Sequence, residues 1–515
     1  MRLLDIDYDS ERLPAPLPIH RATVTADQWL ETAAAVAVAG GRLISLWGTD
    51  RRPVDGNFAI CAAYAVAEGL LWVELPLPPD APAYPGLGQY FPAAVRMQRA
   101  THDLVGLVAK GSTDHRPWLR LGAWPADYFP LRHENSGFEK FPPEADDYPF
   151  VPVEGDGVHE IAVGPVHAGI IEPGHFRFSI VGEKVLRLEE RLGYVHKGVE
   201  KRFVGLTPEE GATIASRISG DSTVAYGWAY CMAVEALVAC RLPDRAKWLR
   251  ALMLERERVA NHLGDLGALG NDAAFAFGLS QFSLLKEHWL RLNKEIFGHR
   301  FMMDVIRPGG VAMDLDAAAG DRLQRQCDEI ETRVRKLKSI YEEHAGLQDR
   351  FVTTGRVTPP LAAKLGLTGL AGRASGMAFD LRNDFTWCPY DQLKFTIATH
   401  RGGDVAARVT VRFEELFESL RLIRGIVEHL PTGAISETFN GHGPAGYGAG
   451  WVEGWRGEIL VAVEMDAGGR ILRCHCHDPS WQNWPVLEHA IIGNIVPDFP
   501  LINKSFNLSY SGQDL

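Results

Sequence analysis

Residues 244–269 read DRAKWLRALMLERERVANHLGDLGAL. Trp248, Leu252, Val259, Leu263 and Leu266 recur at steps of three, four and seven, which places them on one face of a long helix. Two further stretches carry the same period: DLDAAAGDRLQRQCDEIETRVRKLKSIYEEH at 314–344 and GGDVAARVTVRFEELFESLRLIRGIVEHL at 402–430. Long helices with short connections, running from about Pro208 to Leu430, predict a bundle. The charged run Glu255-Arg256-Glu257-Arg258 inside the first helix reads as a solvated face, and so does ERLGYVHKGVEKR at 190–202.

On either side of this helical block the pattern changes. Residues 25–130 read as a small α/β unit. A helix near Ala26–Ala39 ends at Gly40-Gly41, and strands follow near Leu43–Trp47, Phe58–Ala65 and Leu70–Leu75. A second helix is predicted around Phe91–Leu107. Residues 139–157, EKFPPEADDYPFVPVEGDG, are rich in proline and acid, so they suit neither a helix nor a central strand. The expected division is therefore residues 1–138, a linker at 139–157, and residues 158–515. Strands broken by glycine turns open the second part. RGEILVAVEMDAGGRILRCHCHDPS at 456–480 reads as a β-hairpin about Asp466–Gly469. The fold class is α+β: a small α/β domain, then a mainly helical bundle with peripheral hairpins.

The chain has 515 residues and a net charge of -12, which argues against a nucleic-acid partner. The most apolar stretch, Phe58–Leu75, is interrupted by Glu68, Gly69 and Glu74, so no transmembrane span is expected. The acidic N-terminus lacks an apolar signal core. Seven scattered cysteines fit a reducing compartment better than a disulfide framework.

Few motifs point to chemistry by themselves. CHCHD at 474–478 is dense in ligand-type residues, but a zinc site needs a second pair and none follows, so it reads as the return strand of the hairpin. GHGPAG at 441–446 matches G-x-G-x-x-G in letters only: no helix follows, and it reads as a loop. Glu172 and His175 flank a glycine turn and could relay protons if buried. Glu172 follows Ile170-Ile171, so partial burial is expected for it. Two hexapeptides stand out: RISGDS at 217–222 and DPSWQN at 478–483. Each resembles a metal-binding cysteine pair with the cysteines replaced.

The second part resembles the large subunit of membrane-bound NiFe hydrogenases of the formate hydrogenlyase and hydrogenase-4 type, relatives of the quinone-proximal large subunit of respiratory complex I. The stretches that carry the resemblance occur in family order from Val158 to Leu515. Among them are VGPVHAGIIEPGHFRF, RLGYVHKGVEK, ERERVANHLGDLGALGND, GHRFMMDVIRPGGV, GRASGMAFDLR, VEGWRGEI and NWPVLEHAIIGNIVPDFPLINKSFNLSYSGQDL. QRATHDLVGL and STDHRPWLRLGAWP in the first part resemble the end of the complex I 30-kDa-type subunit.

The resemblance implies R-I-C-G-x-C and D-P-C-x-x-C as the nickel–iron motifs. Ser219, Ser222, Ser480 and Asn483 stand at the four thiolate positions, and hydroxyl and amide groups are poor ligands for a soft centre. Glu172 matches a proton-relay glutamate, Glu200 the acid of the first conserved segment, and Arg456 the arginine beside the old active site. His175 falls near a quinone-binding histidine position, and Tyr226 is the first tyrosine after Arg217. The resemblance implies a peripheral subunit on the cytoplasmic face of a membrane. An iron–sulfur small subunit and antiporter-like membrane subunits would be its partners. This chain itself is expected to bind no cofactor, with the iron–sulfur cluster in a partner and a quinone possible. Function then reads as a hydrogenase- or NADH-quinone-oxidoreductase-like component without a NiFe centre. The alternatives are a redox-inactive structural subunit and, third, a working hydrogenase.

Overall fold

The computed structural model describes residues 2–3, 6–145, 147–167, 171–441 and 443–515. Ile170 of the Glu172 turn and His442 of the glycine-rich loop lie outside them. The first part is built on a five-stranded sheet, in the order Ser10–Arg12, Ile19–Thr23, Gly69–Leu77, Phe58–Val66, Arg42–Asp50. Only the pairing of Ile19–Thr23 with Gly69–Leu77 is parallel. Helix Ala26–Val38 starts at a capping box, where Thr25 and Gln28 satisfy each other's backbone donors. Phe58–Val66 is buried at every position. Its FAICAAYAV run is continuous rather than alternating because helices cover one sheet face and the second part of the chain covers the other. Helix Ala94–Val105 packs against strand Arg42–Asp50. Residues 139–157 hold no helix or strand among those described.

In the second part a three-stranded antiparallel sheet, Val158–Val163, His175–Val181 and Lys184–Arg191, precedes the helices. Helix Asp244–Asp272 runs through the middle, flanked by Thr223–Leu237, Ala276–Phe297, Val405–Glu428 and Phe499–Phe506. The five predicted face residues are buried, but so is every residue from Trp248 to Leu263. The solvated-face reading of Glu255–Arg258 is therefore corrected. Glu255 accepts from the Arg382 guanidinium at 3.0 and 3.1 Å, Tyr390 at 2.6 Å and Ser419 at 2.7 Å. Arg258 donates to the carbonyls of Gly454 and Glu453. Arg373 joins Glu415 and Glu453 nearby, and His262 meets Glu415 at 2.9 Å. Burial works against ionisation of Glu255, yet Arg382 and Arg258 hold it down to about 2. Arg382, from a distant part of the chain, pairs with Glu255, while backbone N–H groups meet Glu257 and the amides of Asn293 and Gln326 meet Arg256, which is how a charged helix becomes central. In the 190–202 run, Glu190, Arg191 and Glu200 are likewise buried.

A second three-stranded sheet, Gly446–Glu453, Glu458–Met465 and Ile471–His477, packs on helix Thr223–Leu237. The backbones approach closely at two glycines. A Cβ at Gly448 would lie 2.0 Å from the carbonyl oxygen of Ala233, and one at Gly450 lies 1.8 Å from that of Ala229. Helix Ser480–Ala490 then carries the second hexapeptide back against the first. No helix among the described residues is long and apolar enough to cross a membrane.

Candidate functional site

The two hexapeptides meet. Ser219 donates to Asp221 Oδ1 at 2.8 Å, and its Oγ lies 3.1 Å from Ser509 Oγ. The backbone N–H of Ser509 donates to Ser480 Oγ at 2.9 Å, so Ser509 stitches the two motifs together. Arg456 spans the cluster: it holds Asp221 through both terminal nitrogens (2.8 and 2.5 Å), touches Ser222 Oγ at 3.3 Å and donates to the Asn507 carbonyl at 2.6 Å. Asn483 turns away and pairs with the backbone of Thr368, at 3.1 Å to its N–H and 3.3 Å to its carbonyl. Tyr226 donates to Asp478 Oδ2 at 2.9 Å. Arg217 sits apart, paired with Asp304 and largely exposed.

Buried acids surround this cluster. Glu257 caps the start of helix Thr223–Leu237, accepting from Val224 N–H at 2.7 Å and Ala225 N–H at 3.2 Å. Burial raises its carboxyl to about 8 despite those donors. Asp514 accepts from Gly193 and Val195 N–H, and burial lifts it to about 7. Asp478 is also raised by burial, against the pull of Arg456.

The other predicted residues lie elsewhere. Glu172 is exposed, not partly buried, and binds the backbone and hydroxyl of Ser511. The chain turns inward only after it, at the buried Gly174. His175 begins a strand and is half-buried, 3.3 Å from the Gly164 carbonyl. Burial lowers its pKa, and its Nε2 has no partner. Glu200 is buried 2.6 Å from His475 Nδ1 and 3.0 Å from Arg473. The Arg473 guanidinium and the hydrogen bond from His475 outweigh burial and hold it at about 2. CHCHD is the return strand, with the Cys474 and Cys476 sulfurs 3.8 Å apart on one face and His475 on the other. GHGPAG precedes a strand rather than a helix. Among the described residues, Asp50, His133 and Glu134 come within metal-binding reach of one another. Arg52 already bridges Asp50 and Glu134 at 2.7 and 2.6 Å, so a guanidinium occupies the cation's place.

Residues 269–442 and 436–514 match the family model of the respiratory-chain NADH dehydrogenase 49 Kd subunit, and residues 22–140 match that of the 30 Kd subunit. Hydrogenase-4 component G of Escherichia coli (strain K12) is 31% identical over 483 residues, covering 92% of this chain and 84% of the relative. The chain belongs to the formate hydrogenlyase and hydrogenase-4 large-subunit family, within the complex I 49-kDa superfamily. Formate hydrogenlyase subunit 5 of the same organism is 29% identical over 483 residues, covering 92% of this chain and 85% of its own. A chain from the structure of the membrane-bound sulfane sulfur reductase, an archaeal respiratory membrane complex, superposes with a TM-score of 0.66. The match covers 71% of this chain and all of that one at 24% identity, which establishes the shared fold.

The residues present do not fit the nickel–iron centre that this hydrogenase family implies. The donor set at the four positions is three hydroxyls and an amide, and each is held by another protein group: Ser219 by Asp221 and Ser509, Ser222 by Arg456, Ser480 by Ser509, Asn483 by Thr368. Neither their chemistry nor their engagement suits a thiolate-bound soft metal. The sequence singled out Ser219, Ser222, Ser480 and Arg456 in this hydrogenase-4-type chain but missed Ser509, Tyr226's partner Asp478, and Glu257. Asp221 and Asp478 sat inside the two hexapeptides as a signal. Ser509 and Glu257 gave none, because only the fold brings them there.

Proposed function

We propose that this chain is a component of a membrane-associated, hydrogenase-related oxidoreductase complex that works without a nickel–iron centre of its own. Membership of the hydrogenase-4 and complex I families supports the complex. The observation that carries the rest is the hydrogen-bonded closure of Ser219, Ser222, Ser480 and Asn483 on Asp221, Ser509, Arg456 and Thr368. A site knitted in this way favours a structural role over redox chemistry at this chain's own centre. Electrons would then pass through an iron–sulfur partner to a quinone or another acceptor, with the chain at the cytoplasmic face beside antiporter-like membrane subunits. A second reading, coupling of that electron flow to proton movement through this chain, is favoured by Glu257 and Asp514, whose carboxyls burial has moved close to neutral pH. The test is purification of the native complex followed by elemental analysis and hydrogen uptake with a dye acceptor. Iron without nickel, and no uptake, is the expected result; stoichiometric nickel overturns the reading.

A further inference from the structure

Between the first-part sheet and the hairpin of the second part lies a cavity of about 260 Å³. Met97, Leu104, Trp124, Phe138 and Phe141 give it an apolar wall. Ser45, His475 and Glu200 line it as well, and they are linked in series. Ser45 Oγ is 2.7 Å from His475 Nε2, and His475 Nδ1 is 2.6 Å from Glu200 Oε1. Glu200 fixes the tautomer: it accepts from Nδ1–H, which leaves Nε2 as the acceptor of the Ser45 hydroxyl proton. Burial keeps the imidazole neutral against the pull of Glu200. Trp47 stacks on the ring at 4.5 Å and 11°, which locks its orientation. An irregularity in strand pairing between Leu43 and Ser45 sets the direction of the serine. A nucleophile, a base within hydrogen-bond reach and an acid that orients the base are the geometric signature of an activated hydroxyl.

The wall also indicates the kind of ligand. Its cations are already engaged: Arg473 with Glu200, Lys197 with the Ile218 carbonyl, and Lys201 with the carbonyls of Arg132 and Asn135. Arg202 also lines the cavity, with its side chain exposed and its Nε on the Lys197 carbonyl, and the indole N–H of Trp124, without a partner among the described residues, is free to meet a neutral acceptor oxygen.

We propose that Ser45 is a nucleophile and that this cavity takes a small, neutral, largely apolar carboxylic ester. Ser45 Oγ bonds to the ester carbonyl carbon while its proton passes to His475 Nε2. The carbon–alkoxy bond then breaks, and the alcohol leaves with that proton. Water, deprotonated by His475, cleaves the acyl–serine bond, releases the carboxylic acid and restores the serine.

The purified native complex is treated with a fluorophosphonate probe, and its peptides are mapped by mass spectrometry. The expected result is a phosphonyl adduct on Ser45, none in Ser45→Ala, and labelling slowed about a hundredfold in His475→Gln, the low end for loss of a positioned base. p-Nitrophenyl acetate hydrolysis should fall in parallel with labelling. The wild-type experiment needs no variant: an unmodified Ser45 in the folded complex, or ester hydrolysis undiminished in Ser45→Ala, overturns the proposal and leaves a simple inter-domain hydrogen bond.

Discussion

Replacing Glu257 by glutamine tests whether the cluster around Ser219 and Ser222 keeps a proton-holding acid. The carboxyl is buried against the first turn of helix Thr223–Leu237, directly after Ser222. Its pKa in the folded protein, about 8, lies above the ordinary 4.5. A raised value means that the folded state holds the proton longer than the unfolded chain does. The contribution to stability is then complete below the ordinary value and is lost as pH rises through about 8. Linkage makes the full loss about 5 kcal/mol, of which about 3 kcal/mol has gone by neutral pH. Glutamine is neutral throughout and similar in shape, and gives up one good acceptor oxygen, a cost of about 1 kcal/mol. The variant is therefore expected to be about as stable as wild type near pH 5 and more stable, by about 2 kcal/mol, at neutral pH. The assay is the melting temperature of the assembled complex in steps from about pH 5 to about pH 9. Asp514 titrates in the same window in both proteins, so it cancels in the difference. An infrared band of a protonated carboxyl should be present in wild type at mildly acid pH and reduced in the variant. A difference in melting temperature that stays flat across the window would refute the reasoning.

Three further outcomes are expected. Glu235→Ala should cost about 3–5 kcal/mol by stranding the fully buried Arg250 guanidinium, which Glu235 now holds at 2.9 and 2.6 Å; a soluble-fraction assay and melting curve check this, and unchanged yield and melting would sink it. Gly450→Ala should cost about 1–3 kcal/mol, because the new methyl meets the Ala229 carbonyl oxygen and must push strand from helix; a melting temperature equal to wild type would show that the contact relaxes freely. Glu172→Gln should leave assembly and ion pumping by membrane vesicles intact, since the side chain is exposed and, among the described residues, bonded to Ser511; loss of pumping would return a proton-relay role to it.

The sequence alone determined the order of the elements. Short apolar runs marked the strands near Leu43–Trp47 and Phe58–Ala65, and apolar alternation marked the hairpin about Asp466–Gly469. Helical period marked 314–344, where Leu323, Cys327, Ile330, Val334 and Leu337 form a buried stripe in helix Ala317–Glu343. Those signals are local, so they survive in a string of letters. The ordered family stretches also fixed the superfamily and pointed to Ser219, Ser222, Ser480 and Arg456 as one place. Only the tertiary structure decided what fills that place and which charges are buried. Glu255–Arg258 looks like a solvated run because its neutralising partners, Arg382, Tyr390, Ser419 and the carbonyls of Glu453 and Gly454, are more than a hundred residues away. Glu172 looks inward-facing because its neighbours are apolar, yet its side chain is exposed and the chain is buried only from Gly174. Ser45, Glu200 and His475 come from three separate segments and share no local pattern. Desolvation and pairing are set by what the fold packs against a residue, and linear spacing carries no record of contacts made across such distances.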